Sequence, residues 1–258
     1  MNYVVSKNHR ITRRSGQHSN KNKGEYLLTF LLPISLHSKG LPMKLFVFDH
    51  CPFCVKAMMI TGLKKANIEL VYLQNHDIDA RIEKVGANMV PILQKPDGSY
   101  MAESLDIVKY IDNSDANPVL TPEVHQQELV EWAEAARHCV PYLLYPRWLK
   151  IDLPEFQVEE AKTWFHDKKA PMLSVSFEQA FADSAHYIEL ANNALQTLEW
   201  LTLPSERNNQ LSYDDIHLFP MLRNLTVAKG VQYPARVRQY INEVSALTSV
   251  HLYDDVAV

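Results

Sequence analysis

Strand-like and helix-like hydrophobic patterns alternate along residues 43–111 of this 258-residue chain. Short apolar runs and strict alternation predict strands, whereas apolar residues at helical spacing predict helices. An Asp-Gly turn within residues 95–98 predicts that the last two strands form a hairpin. The resulting order, β-α-β-α-β-β-α, predicts a βαβ unit joined to a hairpin. The predicted strands are 44–48, 68–73, 90–94 and 99–102, and the predicted helices are 53–66, 78–86 and 104–111.

Helical patterns alone follow the turn-rich residues 113–122, whose composition is typical of a linker. Thr121 and Pro122 suit the N-cap and first position of a helix that we expect to reach about residue 145. A long amphipathic helical segment is predicted from Phe177 to Leu198. The second half of the chain is therefore predicted to be all-helical.

The helix predicted after Ser212 has the clearest start signal. Ser212 and Asp215 resemble a capping box, with Asp in place of the usual Glu or Gln. We expect Pro220 to kink this helix, because its ring removes a backbone hydrogen bond. Gly230 is predicted to end it.

These patterns divide the chain into four predicted segments. The βαβαββα order is that of the thioredoxin fold, so the fold class is α/β followed by all-α. The segments are a disordered leader at 1–42, a thioredoxin-like domain at 43–114, a linker at 115–125 and an all-helical domain at 126–258.

Charge is distributed unevenly along the chain. Residues 1–42 contain seven Lys or Arg and one acid, Glu25, whereas the rest contains 19 basic and 29 acidic residues. The leader has an incomplete set of signal-peptide features, and Met43 is an alternative start. The acidic remainder argues against nucleic-acid binding, because phosphate binding needs the opposite sign. No apolar run reaches the roughly 18 residues of a membrane-spanning helix.

Two of the three cysteines stand where the first predicted strand gives way to the first helix. Cys51 and Cys54 enclose Pro52 and Phe53. Pro52 suits the first helical position, which places Cys51 at the N-cap, where the helix dipole favours a thiolate. Cys54 lies one turn further and can close a disulfide. We therefore predict that Cys51 is the attacking thiol and Cys54 the resolving thiol.

The surroundings of this pair leave some alternatives open. His50 and Pro52 are candidates for tuning the Cys51 pKa, although a solvent-facing His50 is equally compatible with the sequence. A zinc site would need a second pair of ligands, and Cys139 stands alone among 11 scattered His, so we expect no metal. Cys139 is predicted to be a buried apolar residue. Three Cys are too few for a disulfide scaffold, which favours a reducing, cytoplasmic setting.

Two more candidate site features lie at the starts of predicted elements, one at a strand and one at a helix. Pro91 opens a strand, where a proline needs a reason. A cis Val90–Pro91 bond would present the Val90 backbone to a bound thiol peptide, and a trans edge proline is the alternative. Ser104, after Glu103, is predicted to be an N-cap whose neighbouring N–H groups hold a carboxylate, or else an ordinary cap.

Together these residues resemble the two-domain glutaredoxins built on the glutathione transferase plan. The resemblance extends from Met43 to the C-terminus. A stretch of the helical half distinguishes this group from one-domain glutaredoxins. The matching stretches are Asp49-His50-Cys51-Pro52-Phe53-Cys54, Val90-Pro91-Ile92-Leu93-Gln94, Glu103-Ser104-Leu105-Asp106-Ile107-Val108 and Leu211-Ser212-Tyr213-Asp214-Asp215-Ile216-His217-Leu218-Phe219-Pro220-Met221-Leu222-Arg223-Asn224-Leu225-Thr226.

The resemblance implies a glutathione-dependent thiol–disulfide oxidoreductase. Its partners would be glutathione, as a co-substrate, and disulfide-bonded or glutathionylated proteins, with no bound cofactor. Cys51 would be the nucleophile and Cys54 its partner. Phe53 stands where many members have Tyr, and its ring would pack against glutathione.

The resemblance also implies where glutathione lies. A cis Val90–Pro91 bond would pair with the cysteinyl part of glutathione. Glu103 and Ser104 would hold its γ-glutamyl end. The leader before Met43 has no counterpart in the pattern.

Two other functions stay open on the sequence. A glutathione transferase would use the same fold, but the resolving Cys54 would then serve no purpose. A non-enzymatic interaction protein on that fold is the second alternative. We further expect a monomer without stable membrane insertion.

Overall fold

The computed structural model describes residues 41–258, so the predicted leader lies outside the described residues except for its last two positions. Within this range, the first half of the chain is an α/β unit. Its strands are β1 Met43–Val47, β2 Ile68–Tyr72, β3 Ile92–Gln94 and β4 Tyr100–Met101. Its helices are α1 Pro52–Leu63, α2 Asp79–Val85 and α3 Ser104–Asp112.

The four strands form one mixed sheet in the order β2-β1-β3-β4. β1 pairs in parallel with β2 and antiparallel with β3, and β3 pairs antiparallel with β4. The predicted turn closes the hairpin: Gly98 has a φ of 84°, and its N–H donates to the Lys95 carbonyl at 2.9 Å. The predicted element order and the thioredoxin-like fold class are confirmed.

The second half of the described chain is all-helical, as predicted. Its α-helices are α4 Gln126–Ala136, α5 Val140–Trp148, α6 Glu159–Lys169, α7 Phe177–Ala182, α8 Ser184–Gln196, α9 Tyr213–Leu225 and α10 Ala235–Thr248. The predicted segment from 177 to 198 is therefore two α-helices that meet at Asp183, followed by a short 3₁₀ turn.

The helix predicted to begin at Thr121 begins instead at Gln126 and breaks after Ala136. The backbone of Thr121 is occupied elsewhere, because it donates to the Leu211 carbonyl at 3.0 Å. The N–H groups of the two residues before α4 are capped by the carboxylate of Asp214, on α9. A residue 90 positions away therefore caps α4, which local sequence could not predict.

The start of α9 matches the prediction, and its end does not. Ser212 is the N-cap, and its N–H donates to the Asp215 carboxylate at 2.6 Å. The helix continues through Pro220 and ends at Leu225, five residues before Gly230. The Thr226 hydroxyl donates to the Arg223 carbonyl, in the last turn of α9, at 2.7 Å. This bond gives a carbonyl at the end of the helix a partner, so the helix can end before Gly230.

Helix α1 connects the two halves of the fold. It packs against α3 on one side and against α9 and α10 on the other. Gly62 makes the last contact possible: a Cβ added there would lie 1.7 Å from the Thr248 carbonyl oxygen of α10. Among the described helices, none has the length and apolar content needed to cross a membrane.

Candidate active site

Cys51 lies where β1 leads into α1. It is the N-cap of α1 with extended backbone angles, and Pro52 occupies the first helical position, as predicted. Its side chain is partly exposed, whereas Cys54, one turn further, is fully buried. Both are free thiols in the structure.

The two thiols differ sharply in acidity. The hydrogen bond from Cys54 and the charge of His50 lower the pKa of the Cys51 thiol to about 7, against the opposing effect of burial. Burial and the neighbouring Cys51 raise the pKa of Cys54 well above its usual value. Because a lower pKa means a larger thiolate fraction, Cys51 carries more of the nucleophilic form than Cys54 near neutral pH.

His50 does not face solvent, so that alternative is wrong. Its side chain is 11% exposed, and its Nδ1 lies 2.5 Å from Oε1 of Glu155, in a short 3₁₀ turn of the helical half. The His50 N–H also donates to this oxygen at 3.0 Å. Sequence reasoning missed Glu155. The available signal was that Glu155 is one of only two acids, with Asp152, within the otherwise apolar run 151–156.

The helical half also holds the backbone before Cys51. Arg223 on α9 is fully buried and donates to the Asp49 carbonyl at 2.7 Å and to its carboxylate at 2.9 Å. The Tyr253 hydroxyl donates to the same carboxylate. Although burial opposes it, the Arg223 guanidinium holds the pKa of Asp49 below its usual value.

Asn224, next to Arg223, completes this attachment by donating from Nδ2 to the His50 carbonyl at 2.7 Å. Both residues lie within the stretch 211–226 that carries part of the family resemblance, from which no role for them was predicted. Two polar residues on the buried face of α9 were the signal that a contact was needed.

The Val90–Pro91 peptide bond is cis, as expected. Val90 is half-buried and Pro91 is buried, and β3 begins one residue later than Pro91, at Ile92. The trans alternative is therefore wrong.

The predicted cap at Ser104 shifts by one residue. Glu103 is the N-cap, because its carbonyl accepts the first intrahelical bond, from Ile107 N–H at 2.9 Å. Glu103 has a φ of 68°, which is strained for a residue with a side chain, and such strain clusters at functional sites. It is exposed, and Ser104 is half-buried at the first helical position.

A cavity of about 700 Å³ opens beside Cys51, between the two halves of the fold. The thioredoxin-like half contributes His50, Cys51, Pro52, Phe53 and Val90. Neither Glu103 nor Ser104 lines it. The helical half contributes mainly aromatic and basic side chains, including Trp132, Arg137, Tyr145, Trp164, Lys168 and Lys169.

Two other features of the described residues limit the chemistry of the site. Cys139 is buried apart from the cavity, and burial raises its pKa to about 11, so it behaves as the predicted apolar residue. Within residues 41–258, no three His, Cys, Asp or Glu side chains are grouped to hold a metal ion.

Family models match both halves of the chain. The model described as "Glutaredoxin 2, C terminal domain" matches residues 128–257, and the "Glutathione S-transferase, N-terminal domain" matches residues 45–119. "Glutaredoxin 2" of Escherichia coli K12 is 40% identical over 217 residues, which are 84% of this chain and 100% of that protein.

Solved structures agree with these matches. The glutaredoxin 2 of Salmonella typhimurium, crystallised in complex with glutathione, is 42% identical with a TM-score of 0.78, covering 84% of this chain and 99% of that one. The transferase GSTFuA3 of Phanerochaete chrysosporium shares the fold at 14% identity and a TM-score of 0.56, over 83% of this chain and 98% of its own. The chain therefore belongs to the glutaredoxin 2 family, whose members are glutathione-dependent oxidoreductases.

Proposed function

We propose that this enzyme reduces protein disulfides and glutathione mixed disulfides through a dithiol formed by Cys51 and Cys54. One observation carries the proposal: at the start of α1, the partly exposed residue Cys51, with a thiol pKa of about 7, lies next to the buried Cys54, whose thiol pKa is raised. The first is suited to attack an incoming disulfide, and the second stays protonated until a mixed disulfide has formed.

In the first step, the Cys51 thiolate attacks the glutathione sulfur of a mixed disulfide. A bond forms between these two sulfurs, the original S–S bond breaks, and the substrate leaves as a thiolate that takes a proton from water. A second glutathione thiolate then attacks the Cys51-bound glutathione. This exchange releases oxidised glutathione and restores the Cys51 thiolate.

A protein disulfide follows a second route. After Cys51 has formed a mixed disulfide with the protein, Cys54 attacks Cys51, and its proton passes to the departing protein thiolate. The Cys51–Cys54 disulfide that results is reduced by two glutathiones. Glutathione is a co-substrate in both routes, and no bound cofactor takes part.

We place glutathione along the edge of the cavity formed by the thioredoxin-like half. The backbone of Val90 would pair with its cysteinyl part, and the 56%-exposed ring of Phe53 would pack against it. Glu103 and Ser104, at the N-terminus of α3, would hold the γ-glutamyl end, where helix N–H groups favour a carboxylate. The glutathione complex of the Salmonella relative supports glutathione binding by a protein of this family.

The test is glutathione-dependent reduction of a glutathionylated peptide by single-cysteine variants. We expect Cys51→Ser to abolish turnover and Cys54→Ser to keep much of it, because the route through glutathione alone needs only the first sulfur. Cys139→Ala is the matched control and should keep the wild-type rate, since that thiol lies apart from the cavity.

Other outcomes would redirect the assignment. If both Cys51→Ser and Cys54→Ser retain wild-type rates, the enzyme does not act by thiol exchange through these cysteines. Glutathione transferase activity then becomes the favoured assignment. If both are inactive, the dithiol route is obligatory and protein disulfides become the preferred substrates.

A further inference from the structure

A fully buried carboxylate stands behind the nucleophile and has no role in the exchange reaction itself. Glu155 has no exposed surface, and its partners lie outside the helical half to which it belongs. Its Oε1 accepts from the N–H of His50 and lies 2.5 Å from Nδ1 of the same residue. Its Oε2 has no hydrogen-bond partner among the described residues. A buried carboxylate with an idle oxygen is costly, so a stabilising role alone does not account for it.

Glu155 holds His50 at two points, one on the ring and one on the backbone. Because a carboxylate only accepts hydrogen bonds, Nδ1 carries the hydrogen and Nε2 is the remaining nitrogen. The rings of Phe48 and Phe156 also stack against the His50 ring, at 5.9 Å and 5.3 Å between ring centroids. Neither its tautomer nor its orientation is left free.

The backbone of the turn is anchored as well. The Asn75 N–H donates to the Glu155 carbonyl at 3.0 Å, and Gln74 Nε2 donates to the Pro154 carbonyl at 2.8 Å. These bonds link the turn to the loop after β2. The position of the Glu155 carboxylate is therefore set from both halves of the fold.

We propose that Glu155 is a positioning residue for Cys51: it fixes the orientation of the His50 ring and the nitrogen that carries its hydrogen, so that the ring is held next to the Cys51 thiolate. This inference deepens the proposed function and rests on Cys51 being its nucleophile. The charge of His50 is one of the effects that lower the Cys51 pKa. On this account, the helical half sets the reactivity of a thiol carried by the other half.

Other aromatic and ionisable groups surround the His50–Glu155 pair, and the ionisable ones also affect its electrostatic environment. α5 and α6 present the rings of Trp148 and Phe165 to His50. The charged or titratable groups are Cys51 and Cys54 on α1, Tyr72 on β2, Arg81 over the Phe48 ring, and the Asp49–Arg223–Tyr253 cluster.

The direction in which the Cys51 pKa changes distinguishes positioning of the His50 ring from direct repulsion between the Glu155 carboxylate and the Cys51 thiolate. If Glu155 acted on Cys51 only through its own negative charge, neutralising it would lower the Cys51 pKa. If it acts through His50, neutralising it weakens the hydrogen bond that holds the ring in place and raises the Cys51 pKa. Glu155→Gln keeps an oxygen that can accept from Nδ1–H but removes the charge, whereas Glu155→Leu removes both.

The experiment measures the rate of Cys51 alkylation by iodoacetamide against pH in the full chain. We expect the midpoint to rise by about one unit in Glu155→Leu and by less in Glu155→Gln. At pH 6 each unit of rise lowers the thiolate fraction about tenfold. Glu159→Gln, the same charge change at an exposed residue on α6, is the matched control and should leave the midpoint at the wild-type value.

A second measurement needs no variant. Long-range ¹H–¹⁵N correlation spectra of the wild type should show His50 with Nδ1 protonated and no population of the tautomer protonated only at Nε2. Observation of that tautomer overturns the inference, as does an alkylation midpoint that stays unchanged or falls in Glu155→Gln. If Cys51 is not the faster-reacting thiol of the wild type, the proposed function itself fails.

Discussion

The largest influence on the acidity of Cys51 is the hydrogen that Cys54 donates to it. Cys54 thus has a second role besides the proposed one of resolving mixed disulfides. It stabilises the thiolate before any substrate arrives. The buried Phe48 N–H, which donates to Cys54 Sγ at 3.4 Å, holds this thiol in place.

Two substitutions at Cys54 should separate these tasks. Cys54→Ser keeps a donor, so the Cys51 pKa should stay near 7, whereas Cys54→Ala removes it and should raise the pKa toward the usual value of about 8.5. When the pH lies below both Cys51 pKa values, the protein with the higher pKa has about tenfold less thiolate for each unit of difference. Cys54→Ala should therefore be slowest relative to wild type below pH 7, under mildly acidic conditions. The alkylation rate of Cys51 between pH 5 and 9 gives the midpoints. Equal midpoints in the two variants would contradict the donor role.

At this scale the sequence predicted the residues whose environment is local. The N-cap position of Cys51 follows from Pro52, and the unusual proline at a strand start indicated the cis bond at Val90–Pro91. Glu155 and Arg223 were missed because they act on His50 and Asp49 across 105 and 174 positions. No spacing rule connects residues that far apart.

Among the elements, α1 depends on one glycine for its closest contact. The Gly62 backbone approaches the end of α10 so closely that a Cβ would overlap the Thr248 carbonyl. This carbonyl belongs to the backbone, so no side-chain rotation can relieve the overlap.

Gly62→Ala should therefore destabilise the protein, by about 1–3 kcal/mol. In a helix without this contact, the same substitution would stabilise by up to about 1 kcal/mol, because alanine favours helix formation. Urea denaturation followed by circular dichroism measures the free energy of unfolding. The sign of the change is decisive: a gain in stability would mean that α1 and α10 do not approach so closely in solution.

Element order was predictable, and several helix boundaries were not. Strand alternation and the Asp-Gly turn specify β1 to β4 locally. The start of α4 was placed too early because Thr121 pairs with the segment before α9 and Asp214 provides the cap. The end of α9 was placed too late because Thr226 closes the last turn. A tertiary partner determined the first boundary, and a local side-chain hydrogen bond determined the second.

Over the whole molecule, the cavity beside Cys51 has a positively charged lining although the chain has a net negative charge. The chain carries a formal charge of −4, yet Arg81, Arg137, Lys168 and Lys169 line the cavity and no Asp or Glu of the described residues does. A cleft of one sign concentrates ligands of the opposite sign. Glutathione carries two carboxylates, so this field should favour its binding.

The double variant Lys168→Gln/Lys169→Gln should raise the KM for a glutathionylated peptide about two- to tenfold at low salt, since each exposed charge contributes up to about 1 kcal/mol. The difference should shrink as salt screens the field. Steady-state kinetics at two ionic strengths provide the measurement. Lys162→Gln, on the same helix but outside the cavity, is the control. A salt-independent KM in wild type would rule out this electrostatic contribution.

The attachment of Asp49 and His50 to Arg223, Asn224 and Glu155 has a consequence for protein engineering. Residues 43–114 cover the complete thioredoxin-like fold, but the loop that carries the proposed nucleophile is held by side chains encoded more than 100 codons downstream. Excising this segment, or grafting it onto another scaffold, would transfer the cysteines without the groups that set their reactivity. The smallest portable unit of this redox centre is therefore larger than the domain that contains its sulfurs.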